Sequence, residues 1–224
     1  MTPLGKSLVF YLKYMAEMNR LYGHVEEGKE PDLTGLDPAQ QVLEMARTVG
    51  AAAYEQVADF LELCGEGIED HFASLGIATL DKKKNRAFVK KRWSWSIDVG
   101  IVNGGWFSCG VWVTAPPEVR IPLDTDVCGV VVPWLWSKGG RKGEDAVGVI
   151  LDGWPHSRAG EGLVEDRGTV ALACIPIKAQ PPGSFDADCD PLIAEVTKTV
   201  AQIGAEQTKA IASLAAGLKE SDEA

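Results

Sequence analysis

The sequence predicts an α+β fold: N-terminal helices, a central, mostly antiparallel sheet of about five strands, and a long C-terminal helix covering it. Three observations carry this expectation. Apolar residues recur at three- and four-residue spacings over residues 4–22, 42–64 and 193–214, as in helices with one buried face, with an exposed loop expected over 23–35. Residues 86–178 change to a two-residue alternation and hold all seven tryptophans. Pro181-Pro182-Gly183 then marks a hinge or linker before the last helical stretch. The expected organisation is a helical segment over 1–81, a sheet core over 82–178, and a C-terminal helix and tail over 179–224, packed as one domain.

Residues 4–22 place Leu4, Leu8, Tyr11, Leu12, Met15, Met18 and Tyr22 on one helical face, and Gly23 stops the pattern. Asp37-Pro38-Ala39-Gln40 is a helix start, with Asp37 able to cap free N–H groups and Pro38 suited to the first helical position. The helix that follows keeps its period from Val42 to Cys64. Gly65 and Gly67 are expected to end it, and residues 68–75 to form a short third helix closed by Gly76. The N-terminal third thus reads as a helical hairpin plus one short helix.

In residues 93–101 the apolar side chains take odd positions and small or polar ones even positions. Asn103-Gly104 supplies a two-residue turn, and residues 106–114 return as the second strand. That register pairs Ile101 with Trp106, Ile97 with Gly110 and Trp95 with Trp112, so Trp93, Trp95, Trp106 and Trp112 are expected on one side, as core under the helices. Further strands are expected over 127–136, 145–152 and 169–177. The first two are joined by a glycine- and lysine-rich hairpin tip at 137–143, and the last is apolar enough for a central position. Beyond the prolines, Ile193, Val196, Val200, Ile203, Gln207, Ala210 and Leu214 follow a heptad spacing in one long helix. That helix packs on the protein itself or, alternatively, offers a homo-oligomer seam through 193–214.

Composition narrows the function classes. With 46% apolar and 24% charged residues the chain reads as a globular protein. No apolar run reaches the ~18–20 residues that cross a bilayer, so no membrane partner and a cytoplasmic location are expected. The five cysteines are scattered and odd in number, which suits free thiols acting as small hydrophobes.

The net charge of −10 is unevenly placed. Residues 1–81 carry 5 basic and 14 acidic side chains, whereas residues 82–92 hold seven basic groups and no acid. Lys82, Lys83, Lys84, Arg86, Lys90, Lys91 and Arg92, followed by Trp93, are the candidate partner-binding residues. Cations beside aromatics can neutralise phosphates and stack on bases, although the same stretch also serves as a solvated connector or as a clamp onto the acidic helices. Asp186-x-Asp188-x-Asp190 opens like a calcium loop, but Pro191 and Thr197 stand where glycine and glutamate are needed, so helix capping is the expected role. Glu66, Glu69, Asp70 and His71 share a helical turn without metal-ligand spacing and read as a solvated acidic face. No nucleophile elbow or phosphate loop occurs.

The expected function is a non-enzymatic cytoplasmic interaction protein, of inhibitor, immunity or adaptor type, that binds a protein partner without a cofactor or metal. Two alternatives stand beside it: a nucleic-acid binder using 82–95, and a hydrolase or nuclease built on carboxylates such as Asp98, Asp124, Asp126 and Asp152.

Overall fold

A computed structural model describes residues 4–6, 8–9, 12–13, 57–79, 94–102, 106–114, 126–137, 141–150, 169–181 and 184–222. Helices and a five-stranded antiparallel sheet make an α+β architecture, as expected. In chain order the elements are helix α1 (57–74), strands β1 (Ser94–Val102), β2 (Trp106–Thr114) and β3 (Val127–Ser137), and helix α2 (Arg141–Ile150). Strands β4 (Thr169–Ala171) and β5 (Ile175–Lys178) and helices α3 (Cys189–Val200) and α4 (Ala205–Asp222) complete them. Helical residues 4–6, 8–9 and 12–13 precede α1. The expected helical hairpin, with its start at Asp37, lies outside the described residues.

β1, β2 and β3 form an antiparallel meander, and β4 and β5 both pair with the outer side of β3. The odd positions of β1 and β2 build the core: Ile97, Val99, Ile101, Phe107, Cys109, Val111 and Val113 are fully buried. The same cluster takes in Leu8, Leu12, Phe60, Leu61, Phe72, Val147, Val196, Ile203 and Ile211, so every described helical segment packs on this one face of the sheet. Phe72 meets Phe107 edge-to-face with ring centroids 6.3 Å apart. Leu12 lies over Gly129, where a Cβ would stand 2.4 Å from its Cδ1. A Cβ at this position would displace the Leu12 side chain.

Five expectations about local structure are corrected. α1 runs through Gly65 and Gly67 without a break, because Gly67 is a contact residue: a Cβ there would lie 2.6 Å from Thr197 Oγ1 on α3. α1 ends instead at Gly76, with φ of 72°. Ile77 N–H donates to Phe72 O and Gly76 N–H to Ala73 O, at 3.1 and 2.9 Å, the paired bonds of a left-handed C-cap.

Residues 141–150 are helix rather than hairpin tip and strand. Strand geometry would put Val147 and Val149 on one face, whereas the helix buries Val147 at 1% exposure and leaves Val149 at 75%. The β-branched residues suggested a strand, but contact of α2 with β3 and α4 decided the outcome.

The apolar stretch 169–177 is two short strands and not a central one. β4 pairs Ala171 with Trp134, β5 pairs Ile175 with Val131, and the intervening residues contain one more than β3 does. Pro133 sits opposite this break and has no N–H to offer an outer neighbour; its carbonyl instead accepts from Leu172 N–H at 2.8 Å.

The long C-terminal helix is two helices joined at 201–204. Gln207 is not a polar heptad position but an N-terminal capping residue, its Oε1 accepting from Gly204 N–H at 2.6 Å. The heptad seam is therefore interrupted. Val196, Val200 and Ile203 are core, while Ala210 and Leu214 face outward.

The stretch read as a hinge is tied down. Gln180 N–H donates to Asp186 O at 2.6 Å, Lys13 Nζ to Ser184 O at 3.2 Å, and Ala187 N–H to Gly5 O at 3.2 Å. Asp188 takes the N-cap position of α3 but makes no side-chain cap bond. The acids therefore help α3 through its dipole alone, with Asp190 in the first turn.

Candidate functional site

The register of the β1–β2 hairpin decides what the sheet presents on its far side. Residues 103–105 separate the strands, three rather than the two of the expected turn, and the pairs are Ile101↔Phe107, Ile97↔Val111, Ser96↔Trp112 and Trp95↔Val113. This is a one-residue shift from the expected pairing, and such a shift moves a whole set of side chains to the opposite face. Trp112 belongs to the other face. Trp112 is therefore not core under the helices, and Trp93 lies outside the described residues.

On that second face three rows cross the sheet. Ser96, Trp112 and Val132 make one; Asp98, Gly110 and Trp134 the next; Gly100, Ser108 and Trp136 the third. Asp98 thus sits with Trp134 across Gly110 in its own row, Trp112 diagonally on one side and Ser108 on the other. Gly110 makes this arrangement possible: a Cβ there would lie 2.3 Å from Trp134 Cζ2 and 2.6 Å from Cε2, so the indole occupies the space a side chain would take. Trp112, Trp134, Trp136 and Asp98 are half-buried, and Ser108 is buried. Val130, Val132 and Ala171 form a small second apolar cluster with Trp112 at one end of this face.

The electrostatics of Asp98 are unusual for a surface-strand aspartate. Burial pushes its pKa up from 3.8 to about 6, against the lowering effect of the hydrogen bond donated by the Ser108 hydroxyl. Its Oδ1 is shut off from solvent and has no hydrogen-bond partner. No cation stands beside it among the described residues.

Asp126, the other described member of the expected carboxylate set, is exposed and pairs with Lys178 at 3.3 Å. It precedes β3, while the Asp98 row crosses β3 at Trp134, so the two lie about 25 Å apart along the strand. They do not converge, and Asp124 and Asp152 lie outside the described residues.

The remaining candidates separate. Lys82, Lys83, Lys84, Arg86, Lys90, Lys91, Arg92 and Trp93 all lie outside the described residues. Cys64, Cys109, Cys128, Cys174 and Cys189 are free, and burial raises the pKa of each thiol, so they are poor nucleophiles. His71 Nε2–H donates to Ile203 O at 2.9 Å, which fastens α1 to the α3–α4 turn, and Glu69 is buried, so neither belongs to a solvated acidic face. Among the described residues no group of three or more His, Cys, Asp or Glu is arranged to hold a metal ion, and no helix is long and apolar enough to cross a membrane.

What remains of the acidic face is a straight stripe. Asp59, Leu63, Glu66 and Asp70 follow helical spacing along α1 and are all exposed, Leu63 to 43%. Sequence reasoning missed Ser108, Gly110 and Trp134 as neighbours of Asp98, and it missed Leu63. Leu63 was findable, since it falls outside the buried period of Phe60, Leu61 and Cys64. Compared with protein-family models, curated proteins and solved structures, the chain matches none.

Proposed function

We propose that the chain is a non-enzymatic interaction protein, of inhibitor, immunity or adaptor type, that holds a basic protein partner against the acidic face of α1. The observation that carries this reading is the exposed stripe Asp59–Leu63–Glu66–Asp70. An apolar side chain ringed by carboxylates supplies both parts of a recognition surface: Leu63 can enter a pocket, and the carboxylates steer a cationic surface and reject an acidic one. No ion pair among the described residues takes up Asp59, Glu66 or Asp70. The stripe is also held rigidly, since the C-cap at Gly76, the Gly67–Thr197 contact and the His71–Ile203 bond fix α1 against the core. Little ordering cost then falls on binding.

The test compares capture from native-source lysate by the wild-type protein and by a Glu66→Lys/Asp70→Lys variant, with nuclease treatment throughout. The reading expects a stoichiometric protein partner that resists nuclease, is recovered at low salt and is lost with the charge reversal. Equal recovery by both proteins, or recovery of nucleic acid alone, overturns it.

A further inference from the structure

The carboxyl of Asp98 is one of two in the described structure, with that of Asp186, whose Oδ1 is shut off from solvent without a hydrogen-bond partner. Asp98 lies on the face of the sheet that no described helix covers, and its one hydrogen bond comes from a neutral hydroxyl. Its other oxygen has no partner. Around it stand three indoles in fixed register: Trp134 across Gly110, Trp112 and Trp136 in the adjoining rows. All three keep part of their surface open to solvent.

We propose that this face is a binding site for an organic cation, an alkylammonium or guanidinium group seated against the Trp134 indole with Asp98 as its counter-charge. The indole ring attracts a cation through its electron-rich face, and an ion pair adds to that attraction where water is partly excluded. Gly110 lets the indole lie across β2, in the same cross-strand row as Asp98. Because Oδ1 is shut off from bulk water, the field of the carboxylate is weakly screened near the indole. A chain of net charge −10 also favours cations over anions or neutral ligands. A neutral sugar could stack on the same indoles but would leave the carboxylate charge unmet, so the cation is the better complement.

The site is on the opposite face of the sheet from α1, and its test uses no protein partner, so it succeeds or fails separately from the acidic-stripe reading. The measurement is tryptophan fluorescence of the full chain titrated with ethylguanidinium and n-butylammonium, with n-butanol and methyl glucoside as neutral controls. Saturable change is expected with the cations alone. Asp98→Asn should weaken it about tenfold or more, and Trp134→Phe several-fold, with the circular dichroism spectrum of each variant confirming its fold. Unmodified protein gives a second readout. At about pH 5 a carboxyl titrating near 6 is about nine-tenths protonated, so affinity should fall about tenfold from its value at about pH 7.5. Ser96 from β1, Ser108 and Trp112 from β2, and Trp134 and Trp136 from β3, the described side chains on the Asp98 face nearest it, do not titrate in this range. Absence of saturable change, equal response to the glucoside, or an affinity indifferent to both Asp98→Asn and pH would overturn the proposal.

Discussion

Replacing Asp98 with asparagine tests whether the charge, rather than the shape, of this side chain is out of place in the folded protein. A carboxyl whose pKa is 3.8 when free and about 6 when folded binds a proton more tightly in the native state. Its ionisation therefore works against folding: the stability is fully present below about pH 3.8, declines as pH rises toward 6, and is level above that. About two pKa units correspond to about 3 kcal/mol at neutral pH, an upper bound because Asp98 keeps part of its surface in water. Asparagine keeps the shape and an acceptor for the Ser108 hydroxyl while removing the charge. We expect Asp98→Asn to be about 1–3 kcal/mol more stable than wild type above about pH 6.5 and to lose that advantage by about pH 4. Urea unfolding of both proteins across this range gives the difference directly, and effects common to both, including the many exposed acids, cancel. A difference that does not change with pH, or that grows toward acid, would refute the reasoning.

Two further outcomes follow from the packing. Gly110→Ala should cost about 2–4 kcal/mol, because the added Cβ meets Ile97 O at 2.3 Å as well as the Trp134 ring, and a β-sheet carbonyl cannot swing aside; thermal unfolding with tryptophan emission reports both the loss and the displaced indole. Among the thiols, Cys174 should react first with a disulfide reagent at neutral pH, since it is half-buried while Cys64, Cys109 and Cys189 are fully buried with raised pKa values. Faster labelling of any of those three in native protein would contradict the placement.

The α+β class was legible because period alone reports it: the alternation read from residue 86 onward contains β1, which starts at Ser94. Where the reading went wrong, tertiary contact had overridden a local signal. Glycine usually stops a helix, but at Gly67 it admits Thr197, and nothing within residues 57–74 reveals the partner. Val147, Val149 and Ile150 favour a strand by composition, yet a ten-residue helix that buries Val147 satisfies the core equally well. Gln207 broke a heptad pattern for a reason visible in sequence. It stands three residues after Gly204, the spacing of a capping pair, so the helix boundary at 201–204 could have been read from it.

The site was hidden by one residue of register. Alternation assigns Asp98 to the face away from Ile97 and Val99, but it does not say which positions of β2 and β3 join it there. The two-residue turn expected at Asn103-Gly104 placed the tryptophans on the core side and set Asp98 opposite Cys109. Aligning the hairpin on the aliphatic run Phe107–Cys109–Val111–Val113 reverses this, giving the core an all-apolar partner for Ile97, Val99 and Ile101 and sending Trp112 outward beside Asp98. The second alignment buries more aliphatic surface without placing Ser108 in the core. A hairpin whose two strands each carry one aliphatic parity is thus set by those parities, and the aromatics follow. The consequence is that Trp112, Trp134 and Trp136 gather on the same face as a carboxylate with one unpartnered oxygen. An unmet charge among half-open indoles lowers stability, and a sequence optimised for folding alone would place a neutral residue at position 98. Retaining aspartate there has a physical rationale if the charge is met by something that binds.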